Sequence, residues 1–113
     1  MLTLSLRIDL GPDRRIGPGK IELLERIAAT GSISAAARSM EMSYKRAWDL
    51  VEETNKLLGK PVVAAQTGGK QGGGAKLTAF GHSIVTRFRA IELAAITAAT
   101  VQLTALQDDI AEA

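Results

Sequence analysis

A chain of 113 residues, 46% hydrophobic and 23% charged, has room for one globular domain with its core, and is neither a disordered tail nor a fibrous repeat. It has no cysteine, which excludes disulfides, thiolate metal sites and a cysteine nucleophile. With no signal peptide and no run near the roughly 20 apolar residues that span a bilayer, a cytoplasmic protein without a membrane segment is expected. The net charge of +2 hides an asymmetry, because residues 1–89 carry all 14 Lys and Arg but only 8 of the 12 acids. Residues 90–113 carry four acids and no base, so the two parts face different partners and the basic body suits a polyanion.

Leu2, Leu4, Leu6, Ile8 and Leu10 alternate with Thr3, Ser5, Arg7 and Asp9, a period of two that predicts a strand over residues 2–10, ended by Gly11-Pro12. After Gly17-Pro18-Gly19, residues Ile21, Leu24, Ile27 and Ala28 recur at helical spacing as far as Gly31, which predicts a first helix over 18–30. Ser32 is placed to cap a short second helix through Ala35, Ala36 and Ala37, whose small side chains admit a close neighbour. Met40-Glu41-Met42 reads as a turn, and Ser43 caps a third helix in which Ala47, Leu50, Val51, Leu57 and Leu58 form the inward stripe up to Gly59. Two helices joined by a short turn outline a helix-turn-helix.

Residues 62–65 and 75–78 have strand character on either side of a glycine-rich segment, so a basic hairpin, the wing, follows the third helix. From Phe80 to about Leu106 the pattern predicts one long helix. Ile84, Val85, Phe88 and Ile91 serve its first half, while Leu93, Ile96, Thr100, Leu103, Gln107 and Ile110 follow the 3-4-3-4-3 spacing of a helix-pairing seam. Self-association, with Leu93, Ile96 and Leu103 at a dimer interface, is the simplest use of that seam; packing back on the body would bury the same residues. The expected fold is α+β and mostly helical: a winged helix-turn-helix domain over 1–79 with an N-terminal strand, and a long C-terminal dimerisation helix over 80–113.

In such a unit the third helix enters the major groove, its first residues at base edges and its positive dipole end near phosphates. Ser43, Tyr44, Lys45 and Arg46 occupy that end. Arg46 is the candidate for a bidentate contact to guanine O6 and N7, with Lys45 and Tyr44 on phosphates. Ser32, Ser34 and Arg38 belong to the supporting helix; Arg38 can touch the flanking backbone or make a surface ion pair. Trp48 fits packing better than base contact. Lys70 and Lys76 of the wing can follow the phosphates or enter the minor groove, where glycines let the main chain come close. A nucleotide phosphate loop is a poor match, because Gly69 and Gly74 are followed by Ala75-Lys76 where such a loop needs Lys-Ser or Lys-Thr. His82 is the single histidine and the carboxylates are scattered, so no metal set or serine triad can be assembled, and neither enzyme activity nor a cofactor is expected. A DNA-binding regulator is the first reading; a winged helix that pairs with proteins without touching DNA is the alternative.

Gly31-Ser32-Ile33-Ser34-Ala35-Ala36-Ala37-Arg38, then Ser43-Tyr44-Lys45-Arg46-Ala47-Trp48-Asp49-Leu50-Val51, then Thr67-Gly68-Gly69 with Gly72-Gly73-Gly74-Ala75-Lys76-Leu77-Thr78, resemble the N-terminal domain of the ModE molybdate-responsive regulators. The resemblance covers nearly the whole chain, and a broader likeness extends to the winged helices of LysR-type regulators. It implies a dimer through the first strand and the long terminal helix, recognition helices in successive major grooves of an inverted-repeat operator, and transcriptional control linked to molybdenum. In that family a pair of molybdate-binding domains follows, so a stand-alone form is expected, with no molybdate heat in calorimetry of this 113-residue chain.

Overall fold

The computed structural model describes residues 2–66 and 74–112. In chain order these form β1 (Ile8–Gly11), β2 (Arg14–Ile16), α1 (Pro18–Thr30), α2 (Ile33–Ser39), α3 (Tyr44–Leu58), β3 (Val63–Gln66), β4 (Gly74–Leu77) and α4 (Ala79–Glu112). β1 pairs antiparallel with β2, and β3 with β4 in the register Val63↔Leu77 to Gln66↔Gly74. No helix among the described residues is long and apolar enough to cross a membrane.

Local chemistry sets the helix ends. Pro18 opens α1, where its missing N–H costs nothing, and Gly31 closes it in the left-handed region at φ 71°, with its N–H donating to the Ile27 carbonyl at 2.8 Å. The Ser32 hydroxyl oxygen accepts the Ala35 N–H, and that of Ser43 accepts the Arg46 N–H, each at 3.0 Å, so both predicted caps form. Thr78 caps α4 by accepting the Gly81 N–H at 2.9 Å, while its own hydroxyl donates to the Pro61 carbonyl at 2.8 Å.

One cluster of buried residues joins Leu23, Leu24 and Ile27 of α1 to Ala36 and Ala37 of α2, Ala47 and Val51 of α3, Val62, and Ala75 and Leu77 of β4. The three alanines let the helix-turn-helix pair lie close against α1. A second cluster, Ile16, Ile21, Leu57 and Phe88, fastens the first hairpin and α4 to the body. Gly81 allows α4 to begin directly against the loop before β3, since a Cβ there would overlap the Val62 carbonyl oxygen.

One expectation about the N-terminus is corrected. The ladder begins only at Ile8, and residues 2–7 have no strand partner among the described residues, although Leu2, Leu4 and Leu6 are half-buried and the residues between them exposed. Alternation marks a face to be covered; a ladder also needs a second backbone beside it. The strand does end at Gly11, as expected, and the chain then turns through Asp13, at φ 59°, into β2, with an irregular register between Asp9 and Gly11 and Leu10 exposed.

α4 runs from 79 to 112, beyond the expected end near 106. Its first half packs Ile84, Val85 and Phe88 on the body. Arg89 then makes a two-bonded contact to Glu25 of α1, at 2.6 and 3.0 Å, and a third bond to Glu92 at 2.6 Å. Hydrogen bonding to Arg89 lowers the Glu25 pKa, outweighing a partial opposing desolvation. A depressed carboxyl contributes stability above its unfolded value, roughly 4.3, and loses it as pH falls through the lower folded value. Because both side chains remain about 38% exposed, the pair is worth about 1 kcal/mol at most. Glu25→Gln should lower the midpoint of thermal unfolding at pH 7 and leave it nearly unchanged near pH 3; an equal loss at both pH values would mean that packing, not charge, is at stake.

Past Glu92 the seam does not fold back on the body. Leu93, Ile96 and Ile110 are exposed, as are Val101 and Leu106. Leu2 lines a cleft of about 290 Å³ on this part of α4 with Ile96, Thr100, Leu103, Thr104 and Gln107.

Candidate nucleic-acid interface

The first turn of α3, the start of α2 and the first residues of β4 come together on one side of the molecule, where Ser32, Ile33, Ser34, Tyr44, Gly74 and Ala75 line a small cleft of about 110 Å³. β4 is held there by its Ala75 N–H, which donates to the Gly31 carbonyl at 2.9 Å. A Cβ on Gly74 would stand 2.7 Å from that same oxygen, so glycine is what lets the wing close on the α1–α2 connection.

Around α3, Ala47, Val51, Thr54 and Leu57 face the core. At about 100° per residue the opposite, outward face carries Lys45 and Asp49, with Tyr44 and Trp48 on the flank toward the wing and Arg46 on the other flank. Lys45 is 84% exposed and pairs with Asp49 at 3.0 Å, an i,i+4 ion pair open to water. Arg46 is exposed, and among the described residues its guanidinium has no partner. Arg38 makes no ion pair there; it donates to the Ser34 hydroxyl oxygen at 2.9 Å, within α2. Ser32 and Ser43 spend an acceptor lone pair on their helix caps but retain a hydroxyl donor. Lys76 is exposed on β4, opposite Ala64. Lys70, with most of the glycine run, lies outside the described residues.

Trp48 is a correction. It is not a packing residue but 45% exposed, one turn beyond Tyr44, which is 54% exposed. The stripe Ala47, Val51 and Thr54 carries the signal that finds it, because Trp48 falls about 100° off that stripe. Among the described residues no group of three or more His, Cys, Asp or Glu is placed to hold a metal ion.

A helix-turn-helix whose second helix starts beside a two-stranded hairpin, with cations on the exposed rim, is a winged helix-turn-helix domain. A solved complex of the CbnR DNA-binding domain with DNA shares the fold at TM-score 0.58 and 22% identity, over 77% of this chain and 95% of that one. The family model for bacterial regulatory helix-turn-helix proteins of the lysR family matches residues 19–82, and the chain belongs to that family. It is similar to the molybdenum-pterin-binding protein MopB of Rhodobacter capsulatus, 53% identical over 69% of this chain and 29% of that protein. It also matches the molybdenum transport protein ModE of Azotobacter vinelandii, 42% identical over 80% of this chain and 33% of that protein. The DNA-binding transcriptional dual regulator ModE of Escherichia coli strain K12 is 45% identical over 75% of this chain and 31% of that protein. The chain thus spans about a third of the length of the curated relatives it matches.

Proposed function

We propose that this chain is a cytoplasmic, sequence-specific DNA-binding regulator that acts as a homodimer on an inverted repeat and controls genes of molybdenum handling. The observation that carries the DNA reading is the convergence of the α3 start, α2 and the wing, elements that carry the exposed cations Arg38, Lys45, Arg46 and Lys76. The molybdenum link rests on the names of the relatives. Residues 1–79 would bind DNA and residues 80–113 would pair two copies, the exposed Leu93 and Ile96 and the half-buried Leu103 meeting their counterparts.

DNA affinity should fall steeply with salt as Lys and Arg displace condensed counterions. One observation favours the alternative, a protein-pairing module: the exposed Tyr44 and Trp48 suit an apolar partner. Gel-shift titrations on the promoter DNA of the chain's own gene at two salt concentrations separate the two, and absence of binding at low salt would favour pairing.

Within the DNA reading, Arg46→Ala should cost about 1–3 kcal/mol on the operator and relax preference at one base pair, as a lost bidentate guanine contact does. Lys70→Ala should instead weaken binding about equally on all sequences and flatten the salt dependence. Equal losses on every sequence from both variants would refute this division between reading and gripping residues.

A further inference from the structure

We infer that Trp48, flanked by Tyr44, reads the C5-methyl group of a thymine in the major groove of the operator, an inference that rests on the DNA-binding reading above. Trp48 is the sole tryptophan, yet it leaves 45% of its surface in water on the helix that would face DNA. With Tyr44 it forms one wall of a cleft of about 300 Å³ whose other wall is the wing, through Val63, Ala65 and Ala75.

The charges nearby decide which part of DNA such a ring can meet. Asp49 holds the Lys45 ammonium at 3.0 Å, and Glu52 lines the same cleft as Trp48. Carboxylates one and four residues after Trp48 repel a phosphate, so the ring is not set against the backbone. Lys76, exposed on the wing and without an ion-pair partner among the described residues, stands where phosphates border a groove, and Arg46 lies on the other flank of α3. What then faces the ring is the floor of the major groove. There the thymine methyl is the apolar group among donors and acceptors, and apolar side chains recognise it by contact.

The operator would be obtained by selection from a randomised duplex pool, and each thymine in turn replaced by uracil, which removes the methyl and keeps every hydrogen-bonding group. Wild-type affinity should fall about fourfold at one or two thymines per half-site, the worth of one buried methyl. Trp48→Ala should bind the thymine and uracil duplexes equally, while Trp48→Phe keeps part of the difference. The emission of Trp48, reporting alone, should shift when operator binds. Because the ring is half exposed, the variants should keep the wild-type circular dichroism, with Trp48→Phe closer than Trp48→Ala to the wild-type unfolding midpoint. Operator binding with no uracil-sensitive thymine, or full sensitivity retained by Trp48→Ala, would overturn the inference and leave the DNA reading standing. Failure of the wild type to select any duplex would overturn both.

Discussion

Replacing Leu93 and Ile96 together with lysine should give a monomer in sedimentation and lower operator affinity by about 10²–10⁴-fold. In a single chain these side chains are 67% and 40% exposed, so the lysines disturb little of the monomer's own packing. Their effect falls on association. Two half-sites held by one dimer act as a single ligand, and separating the halves removes the effective concentration that links them. Leu2, in a segment with no strand partner among the described residues, lines a cleft with Ile96, Thr100 and Leu103 of the same region. Exposed apolar rows of this length mark association surfaces, and the seam lies on the acidic end of the chain, away from the basic body that would meet DNA. A wild-type chain that sediments as a monomer at roughly tens of micromolar would refute the dimer, as would a double-lysine variant that keeps full affinity.

Gly81→Ala should destabilise the fold by about 2–4 kcal/mol, because the added carbon meets backbone. The Val62 carbonyl it would overlap already accepts the Thr78 N–H at 3.0 Å, so moving aside breaks a bond that joins the wing to α4. Gly19→Ala is the control: it is also helical, and nothing lies within 4 Å of its Cβ position. It should leave stability unchanged or raise it by about 0.4–1 kcal/mol through the unfolded chain. Urea unfolding of the two variants checks the contrast; similar behaviour would mean that α4 can shift to make room.

The helices were legible because their signals are local. Pro18, Gly31, Ser32, Ser43 and Gly59 each act within one turn of their own position, and they place α1, α2 and α3 where the structure has them. What sequence reading missed depends on distant partners. β2 is three residues long, and only Ile16 of Arg14-Arg15-Ile16 faces inward, too short for a period to show. The absence of a strand partner for residues 2–7 among the described residues, and the carbonyl that requires glycine at 81, are set by packing between elements far apart in sequence. In the candidate site, Lys45, Arg46 and Lys76 are chosen by residue type and position, and the structure leaves them exposed. Trp48 was misjudged because bulk outweighed phase, although the stripe of α3 leaves it off the buried face.

The length of α4 has a mechanical consequence. Its 34 residues extend for about 50 Å, and the molecule is 58 Å along its longest axis. In a dimer joined through the second halves of two such helices, each body hangs on a lever. A change of about 10° where the helices cross would swing a body about 30 Å away by about 5 Å, more than the 3.4 Å between base pairs. Small adjustments at Leu93, Ile96 and Leu103 would therefore set the half-site spacing the pair can span, and a molecule that alters the crossing angle would control DNA binding without touching α3 or the wing.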